Sequence, residues 1–552
     1  MKTAATSTDS TFDYIVVGAG AAGCVVAARL SEDPRNRVLL IEAGGEDRSF
    51  WLKIPVGYGK TIADPRVNWC YETEPLPALG GRKIFWPRGK VLGGSSSING
   101  LMYVRGNRHD YDRWQDLGND GWSYEDVLPY FRKAEDQENG PDRFHGVGGP
   151  LHVSNLVERN PLCNALIDSA VAAGISANGD FNGAQQEGAG YYQATIKRGA
   201  RVSAAVAYLH PAMKRPNLSV VTCALAHRVT IEQRRATGVV YERGGEMVTA
   251  RACREVILCG GTVNSPHLLM LSGIGPAEVL RSRGIAPVHD LPGVGENLQD
   301  HYGGQITWRC RQPITMNDVM ASRWRMLAAG ARWLLRRDGP FSVPAGQAGL
   351  FARVGPPPGE LGADPHPGPD MQFLFQTFSG GYYEDGLYKF SGFANFICPV
   401  RPRSRGTISL NSPDPRRPPA LRPGYFSDEH DRWLLIGGLR LARRIASLEP
   451  LAGLISSEHL PGINVESDAE VEQYFRSYGG CVSHQVGTCK MGRDALAVVD
   501  SSLRVRGIDG LCVADASIMP TLISGNTYAA SVMIGERASD FVAARAQVRS
   551  AA

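Results

Sequence analysis

Three glycines at G-x-G-x-x-G spacing, Gly18, Gly20 and Gly23, carry the first chemistry legible in this chain. Gly18 would allow a tight turn. Gly20 would let backbone approach a pyrophosphate, and Gly23 would let a helix pack close to a strand. Glu42 stands about 20 residues further on, where an acid accepts hydrogen bonds from adenosine ribose hydroxyls. Together these residues describe a dinucleotide site. Downstream, Gly89, Gly93, Gly94 and Gly100 flank Ser95 to Ser97. Small residues at that density form an ordinary turn or let backbone come close to a flat ligand. The pair Asp300 and His301 has metal-ligand chemistry but no third ligand nearby, and no metal site is expected.

Strands and helices must position these residues. Tyr14 to Val17 is a short apolar run ending at Gly18, and Gly23 to Leu30 continues as an alanine-rich helix. That helix would offer its free N–H groups to phosphates. Arg37 to Ile41 reads as a second buried strand, ending at Glu42. Arg254 to Cys259 is a further buried strand. It runs into Gly260 and Gly261 and then a helix, a second glycine turn at a strand–helix junction, as in a doubly wound sheet. Gly510 to Asp515 is a strand ending in an acid, and Leu522 to Glu536 runs from loop into helix. From about His301 to Ser477 the texture changes. Asp370 to Pro399 reads as strands and Asp431 to Ser447 as helix, with a proline- and glycine-rich loop over Gly355 to Pro369.

Composition bounds the function. The 552 residues, 43% hydrophobic, are enough for large cores and more than one domain. A net charge of +4 and the lack of a basic tract with interleaved aromatics argue against nucleic acid as a partner. The 11 cysteines are scattered without a C-x-x-C pair, which points to a reducing compartment. The N-terminus shows no apolar signal region and no run approaches a membrane span, so a cytoplasmic location is expected. Met320 to Arg337 reads as a helix carrying Arg323, Arg325, Arg332, Arg336 and Arg337 beside Trp324, Leu327, Leu334 and Leu335. It could lie on a membrane surface. A solvated face over a core stripe is the preferred reading.

Three separated blocks resemble the glucose–methanol–choline (GMC) family of FAD oxidoreductases. The first is VVGAGAAGCVVAARL with Ile41 to Gly44. The second is WPRGKVLGGSSSINGLMYVRG, supported by GGTVNSPHLLMLSGIGP. The third is SHQVGTCKMG followed by VADASIMPTLISGNTYAASVMIGE. Their order and span make the resemblance specific, and it is loose over about 310 to 470. The stretch VLGGSSSINGLMYVRGN looks most like choline-dehydrogenase-like and aliphatic alcohol dehydrogenases.

The resemblance implies an α/β fold. A Rossmann-like FAD-binding domain would be built from discontinuous segments, 11–306 and 478–547. A substrate-binding domain, a sheet flanked by helices, would cover 307–477. FAD would be held by Gly18, Gly20, Ala21, Ala22, Gly23 and Glu42 in the first block, and by Gly93, Ser96, Asn99, Gly100, Leu101 and Met102 in the second. Ala226, Asp515, Ala516, Asn526 and Thr527 complete the set. Ile98 stands where some relatives attach FAD through a histidine, so the cofactor should be bound without a covalent link. The resemblance places His109, Asp110 and Asp112 in a surface segment, where no metal is expected.

His484 matches the family's active-site histidine and Asn526 its partner. A neutral histidine can take the hydroxyl proton of an alcohol, and an amide can hold the oxygen. The expected reaction is FAD-dependent oxidation of a primary alcohol to an aldehyde, with hydride passing to flavin N5. The small-molecule alcohol would be one partner and an electron acceptor, a quinone or another, the second. An oxygen-using oxidase is the alternative, and a lyase or photodecarboxylase of the same fold or a NAD-dependent dehydrogenase are rivals from other classes. Phe373, Phe375, Phe378, Tyr382 and Tyr383 could line a substrate pocket or form plain strand core, with core preferred.

Overall fold

The computed structural model describes residues 10–355, 368–381 and 386–551. Met1 to Asp9, Tyr382, Tyr383 and most of the loop expected over Gly355 to Pro369 lie outside the described residues.

The fold is α/β, organised on two seven-stranded sheets. In the first, Leu218–Val221, Val38–Ile41, Ser10–Val17 and Glu246–Leu258 lie side by side in parallel. Parallel strands covered on both faces read as unbroken apolar runs. Val38–Ile41 is buried at every position. Glu246–Leu258 is long enough to serve two partners beyond Ser10–Val17. Its first half runs antiparallel to Arg235–Arg243, which in turn pairs with Ala224–Glu232. Its last three residues pair in parallel with Leu511–Val513. The helix Ala21–Leu30 follows the first strand directly and packs against Tyr528–Ala551. Buried Glu536 on the latter accepts bonds from the Arg29 guanidinium and the Tyr208 hydroxyl.

The second sheet is antiparallel. Its order is Ile455–Leu460, Tyr302–Cys310, Gly392–Pro399, Met371–Gln376, Ala348–Ala352 and Gly188–Tyr191, and Gly480–Cys481 pairs with the start of Tyr302–Cys310. Helix Glu429–Ala446 covers one face. Asp428 caps its N-terminus by accepting from the His430 amide at 2.9 Å. Leu434, Leu435, Leu439, Ala442 and Ile445 recur at helical spacing and are all buried. Each such leucine contributes about 1.5–3 kcal/mol by leaving water. For the domain division we propose 11–306 with 478–547 around the first sheet and 307–477 around the second. The second sheet also takes its edge strand Gly188–Tyr191 from outside that last range.

The helix expected over Met320 to Arg337 is two helices, Met316–Ala321 and Arg323–Arg336, broken at Ser322, whose hydroxyl caps the second.

Candidate active site

The ends of the parallel strands supply one wall of a cavity of about 880 Å³. Gly18 follows the first strand with φ +102°, a left-handed conformation open to glycine. A Cβ there would lie 2.5 Å from the Cys259 carbonyl, and one on Gly23 would lie 1.9 Å from the Gly18 carbonyl. Those two glycines are fixed by backbone packing. Gly20 differs: a Cβ on it would meet nothing nearer than the Cys259 carbonyl at 3.8 Å. Its open side faces the cavity, as a pyrophosphate would require.

The Glu42 carboxylate accepts from the Ala19 amide and the Gly44 amide, each at 2.8 Å. Burial pushes its carboxyl up to about 7, against the pull of those two amides. Two backbone donors thus fix the acid at the cavity wall. Ala21, Ala22 and Ala226 line the same end.

Further along, Ser96, Asn99, Gly100, Leu101 and Met102 line the cavity, with Asp515, Ala516 and Thr527. Gly23 and Gly93 do not reach it. The Gly93 amide donates to the Ala19 carbonyl at 2.8 Å and ties the serine loop to the first glycine turn. Leu101 holds φ +71°, a costly conformation for a side chain of that size. The loop is pinned by buried Arg201, whose guanidinium donates to the Ser96 carbonyl and to both oxygens of Asn99. Asp515 accepts from the Gly261 amide at 2.8 Å and from the Ser265 hydroxyl at 2.5 Å, joining the last strand to the second glycine turn. An extended dinucleotide flavin fits this wall. One continuous space joins the Glu42 and Ala226 end to the His484 end, and bare backbone at Gly20 leaves room for phosphate.

The opposite end holds a directional chain of hydrogen bonds. His301 Nε2 lies 2.9 Å from the Val400 carbonyl, which can only accept. His301 Nε2 therefore carries the proton, and its Nδ1 has a lone pair. That Nδ1 is 2.9 Å from His484 Nδ1, so His484 donates there. His484 Nε2 is left with its lone pair, 3.1 Å from the Asn526 amide nitrogen. The Asn526 oxygen accepts from the Gln372 amide at 3.1 Å, which turns the Asn526 NH2 group toward the histidine. Each ring and amide has one orientation that satisfies the chain.

Burial lowers both histidines: His301 falls to about 4, and His484 goes well below the usual histidine range, helped by His301 and Arg88. The hydrogen-bond chain leaves the His484 Nε2 lone pair directed to the cavity, and burial favours the uncharged ring.

The backbone is held as firmly as the ring. The carboxylate of buried Asp300 accepts from the His484 amide at 2.7 Å, the His301 amide at 2.9 Å and the Gln485 side chain at 2.7 Å, and also from the Tyr425 hydroxyl. Burial pushes this carboxyl up to about 6. Ser483, just before His484, sits at φ +63°. Asp300 and His301 thus position the candidate base. On the other side, Asp110 accepts from the Ser524 amide at 2.6 Å and its hydroxyl at 2.8 Å, fixing the segment that leads to Asn526. Asp110 is buried, not in a surface segment as the resemblance implied. Its other contact caps the helix Arg108–Asp116.

Sequence reasoning did not find Gln372, Val400, Arg201 or the positioning task of Asp300 and His301. Gln372 was legible in part: it shares a strand face with Leu374 and Gln376, which line the cavity. Phe373 and Phe375 point to the other face and belong to the second core. Phe378 lines the cavity. Tyr382 and Tyr383 lie outside the described residues. One stretch of the cavity wall is apolar, built from Met102, Leu374, Phe396 and Val482, which pack as one cluster, and Arg88, Gln305 and Gln376 add polar groups.

The family model described as GMC oxidoreductase matches residues 12–303, and its C-terminal counterpart matches residues 402–535. The chain is 42% identical over 543 residues to the mitochondrial choline dehydrogenase of Homo sapiens, covering 96% of this chain and 89% of that protein. It is 41% identical over 549 residues to the alcohol dehydrogenase [acceptor] of Pseudomonas putida, covering 98% and 97%. Among solved structures, pyridoxine 4-oxidase from Mesorbium loti superposes with a TM-score of 0.85 at 30% identity, covering 96% of this chain and 98% of that one.

Proposed function

The chain belongs to the GMC oxidoreductase family, FAD enzymes acting on CH–OH groups, and we propose that it oxidises a primary alcohol to an aldehyde with His484 as the base. The observation that carries this reading is the hydrogen-bond chain from Val400 through His301 and His484 to Asn526 and Gln372. Bound FAD supplies the acceptor for the hydride.

The protein's own part is positioning and proton transfer. An alcohol hydroxyl entering between His484 Nε2 and the Asn526 amide would displace their mutual contact. His484 would take the hydroxyl proton at Nε2, and the Asn526 NH2 group would hold the oxygen as it gains negative charge. The imidazolium so formed keeps its Nδ1–H bond to His301, so the ring need not turn during transfer. Glu42, Gly20 and the serine loop would hold the cofactor, and Ile98 in the cavity wall offers no nucleophile for a covalent link.

The substrate we infer is an uncharged, largely apolar alcohol. Among the described lining residues the acids are Glu42 and Asp515, and both are engaged by backbone amides. A quaternary ammonium alcohol would call for a free carboxylate or an aromatic cage near the base. Electrons would leave to a quinone or another acceptor, with oxygen as the alternative.

Anaerobic mixing of the flavin-loaded protein with a panel of alcohols tests this. Medium-chain primary alcohols should bleach the flavin faster than choline. Choline reducing it fastest would overturn the substrate class, and no bleaching by any alcohol would overturn the reaction. Reoxidation by a quinone analogue compared with oxygen assigns the acceptor.

A further inference from the structure

The helix Arg323–Arg336 is inside out. Helices on a protein surface bury their apolar stripe. Here Ala329 and Trp333 face the body, with Trp333 donating its indole N–H to the Gly199 carbonyl at 2.7 Å and meeting the Phe50 ring edge-on at 5.5 Å. The apolar stripe lies on the other side. Trp324 is 82% exposed, Leu327 61%, Leu334 61% and Leu335 85%. With exposed Ala331 these positions follow the i, i+3, i+7, i+10, i+11 spacing of a single helix face.

Arginines flank the stripe. Arg332 is engaged by Asp338 and Glu158. Among the described residues no ion pair involves Arg323, Arg325 or Arg336. An apolar stripe with Trp and Leu, edged by cations, is the arrangement of a helix lying in the plane of a bilayer interface. No helix among the described residues is long and apolar enough to cross a membrane.

The position of the helix matters as much as its composition. Met320 and Met326 both line the cavity and remain 38% and 37% exposed, which sets the cavity's opening beside this helix. We propose that Arg323–Arg336 docks flat on an anionic lipid bilayer, presenting the mouth of the cavity to the membrane surface. A second copy of the chain is the competing occupant, but a two-fold contact would set these arginines against their own equivalents. Anionic headgroups complement them. An apolar substrate or acceptor dissolved in the lipid would then reach the site without crossing water.

Sedimentation of the full-length, FAD-loaded protein with vesicles tests the proposal. Vesicle binding is read without any substrate, so its outcome is independent of the alcohol reading. The protein should pellet with vesicles of phosphatidylcholine doped with phosphatidylglycerol, bind phosphatidylcholine alone more weakly, and be released by salt. A Trp324→Ser, Leu335→Ser variant should bind about tenfold or more weakly, the worth of withdrawing two partly buried apolar side chains. Its flavin spectrum and its turnover of a short, water-soluble alcohol should be unchanged. Arg325→Glu with Arg336→Glu should abolish the preference for anionic lipid. Wild-type protein left in the supernatant, or variants that bind as well as it does, would overturn the proposal. So would a wild-type dimer that the serine variant dissolves, which would make a second copy the occupant.

Discussion

The two ends of the cavity are built on opposite plans. The dinucleotide end is mostly backbone: glycine turns, a helix start, and one acid tied by two amides. The reacting end is side chains, each oriented by another side chain or carbonyl behind it. A backbone wall can bind but cannot change protonation. A side-chain chain can hand over a proton but must be held in a single tautomer. Damage at the first end should therefore cost occupancy, and damage at the second should cost rate.

The sharpest way to break that contrast is at the base. General-base help is typically worth about 10²–10⁴-fold. His484→Ala should slow anaerobic flavin reduction by that factor with FAD still bound. Reduction at the wild-type rate would put the base elsewhere. Asn526→Ala should cost about 10²-fold in the same stopped-flow measurement, by analogy with removal of one oxyanion donor. A loss larger than that of His484→Ala would reverse the two roles.

The other end should respond differently. On the proposed reading, Glu42→Ala would remove one or two charge-assisted bonds to the ribose, each worth about 1.5–3 kcal/mol. The purified variant should be flavin-poor, and added FAD should restore turnover. Full occupancy with dead chemistry would erase the division of labour.

A smaller effect sharpens the chain itself. His301→Leu removes the acceptor that fixes the His484 tautomer, one buried hydrogen bond of about 1–1.5 kcal/mol. We expect kcat to fall about tenfold with KM unchanged, and His301→Asn, which can still accept from His484 Nδ1, to recover most of the loss. Equal losses in both variants would mean that His301 only fills space.

The mildest prediction concerns pH. Burial disfavours the charged form of His484, so its lone pair survives to lower pH than in an ordinary histidine. The acid limb of kcat/KM should fall below pH 6.5, the ordinary histidine value. An acid limb centred above 6.5 would show that the base is not desolvated in the working enzyme.

The same contrast explains what was legible in the sequence. The dinucleotide end could be read because one ligand contact and its packing fall within a few residues. Gly18, Gly20 and Gly23 share a turn, and Glu42 ends the next strand. The reacting end joins residues far apart in the chain: His301 and His484 are 183 positions apart, and Gln372 and Asn526 are 154. No local spacing encodes such a contact, and His484 and Asn526 emerged only through the family resemblance. The exposed stripe of Arg323–Arg336 was legible as a stripe. Its direction was not, because periodicity shows that a face is apolar but not what covers it.

One strand partnership has a consequence for synthesis. Val256 to Leu258 waits for a neighbour, Leu511–Val513, that leaves the ribosome only after about 250 more residues have been made. Until then the growing chain carries an open sheet edge beside its two glycine turns, and such edges invite pairing with other chains. Asp515, which clasps the second turn, arrives with the same segment. The cofactor wall is therefore closed only once that distant segment has been made, and a chain truncated before Leu511 would expose that edge for good.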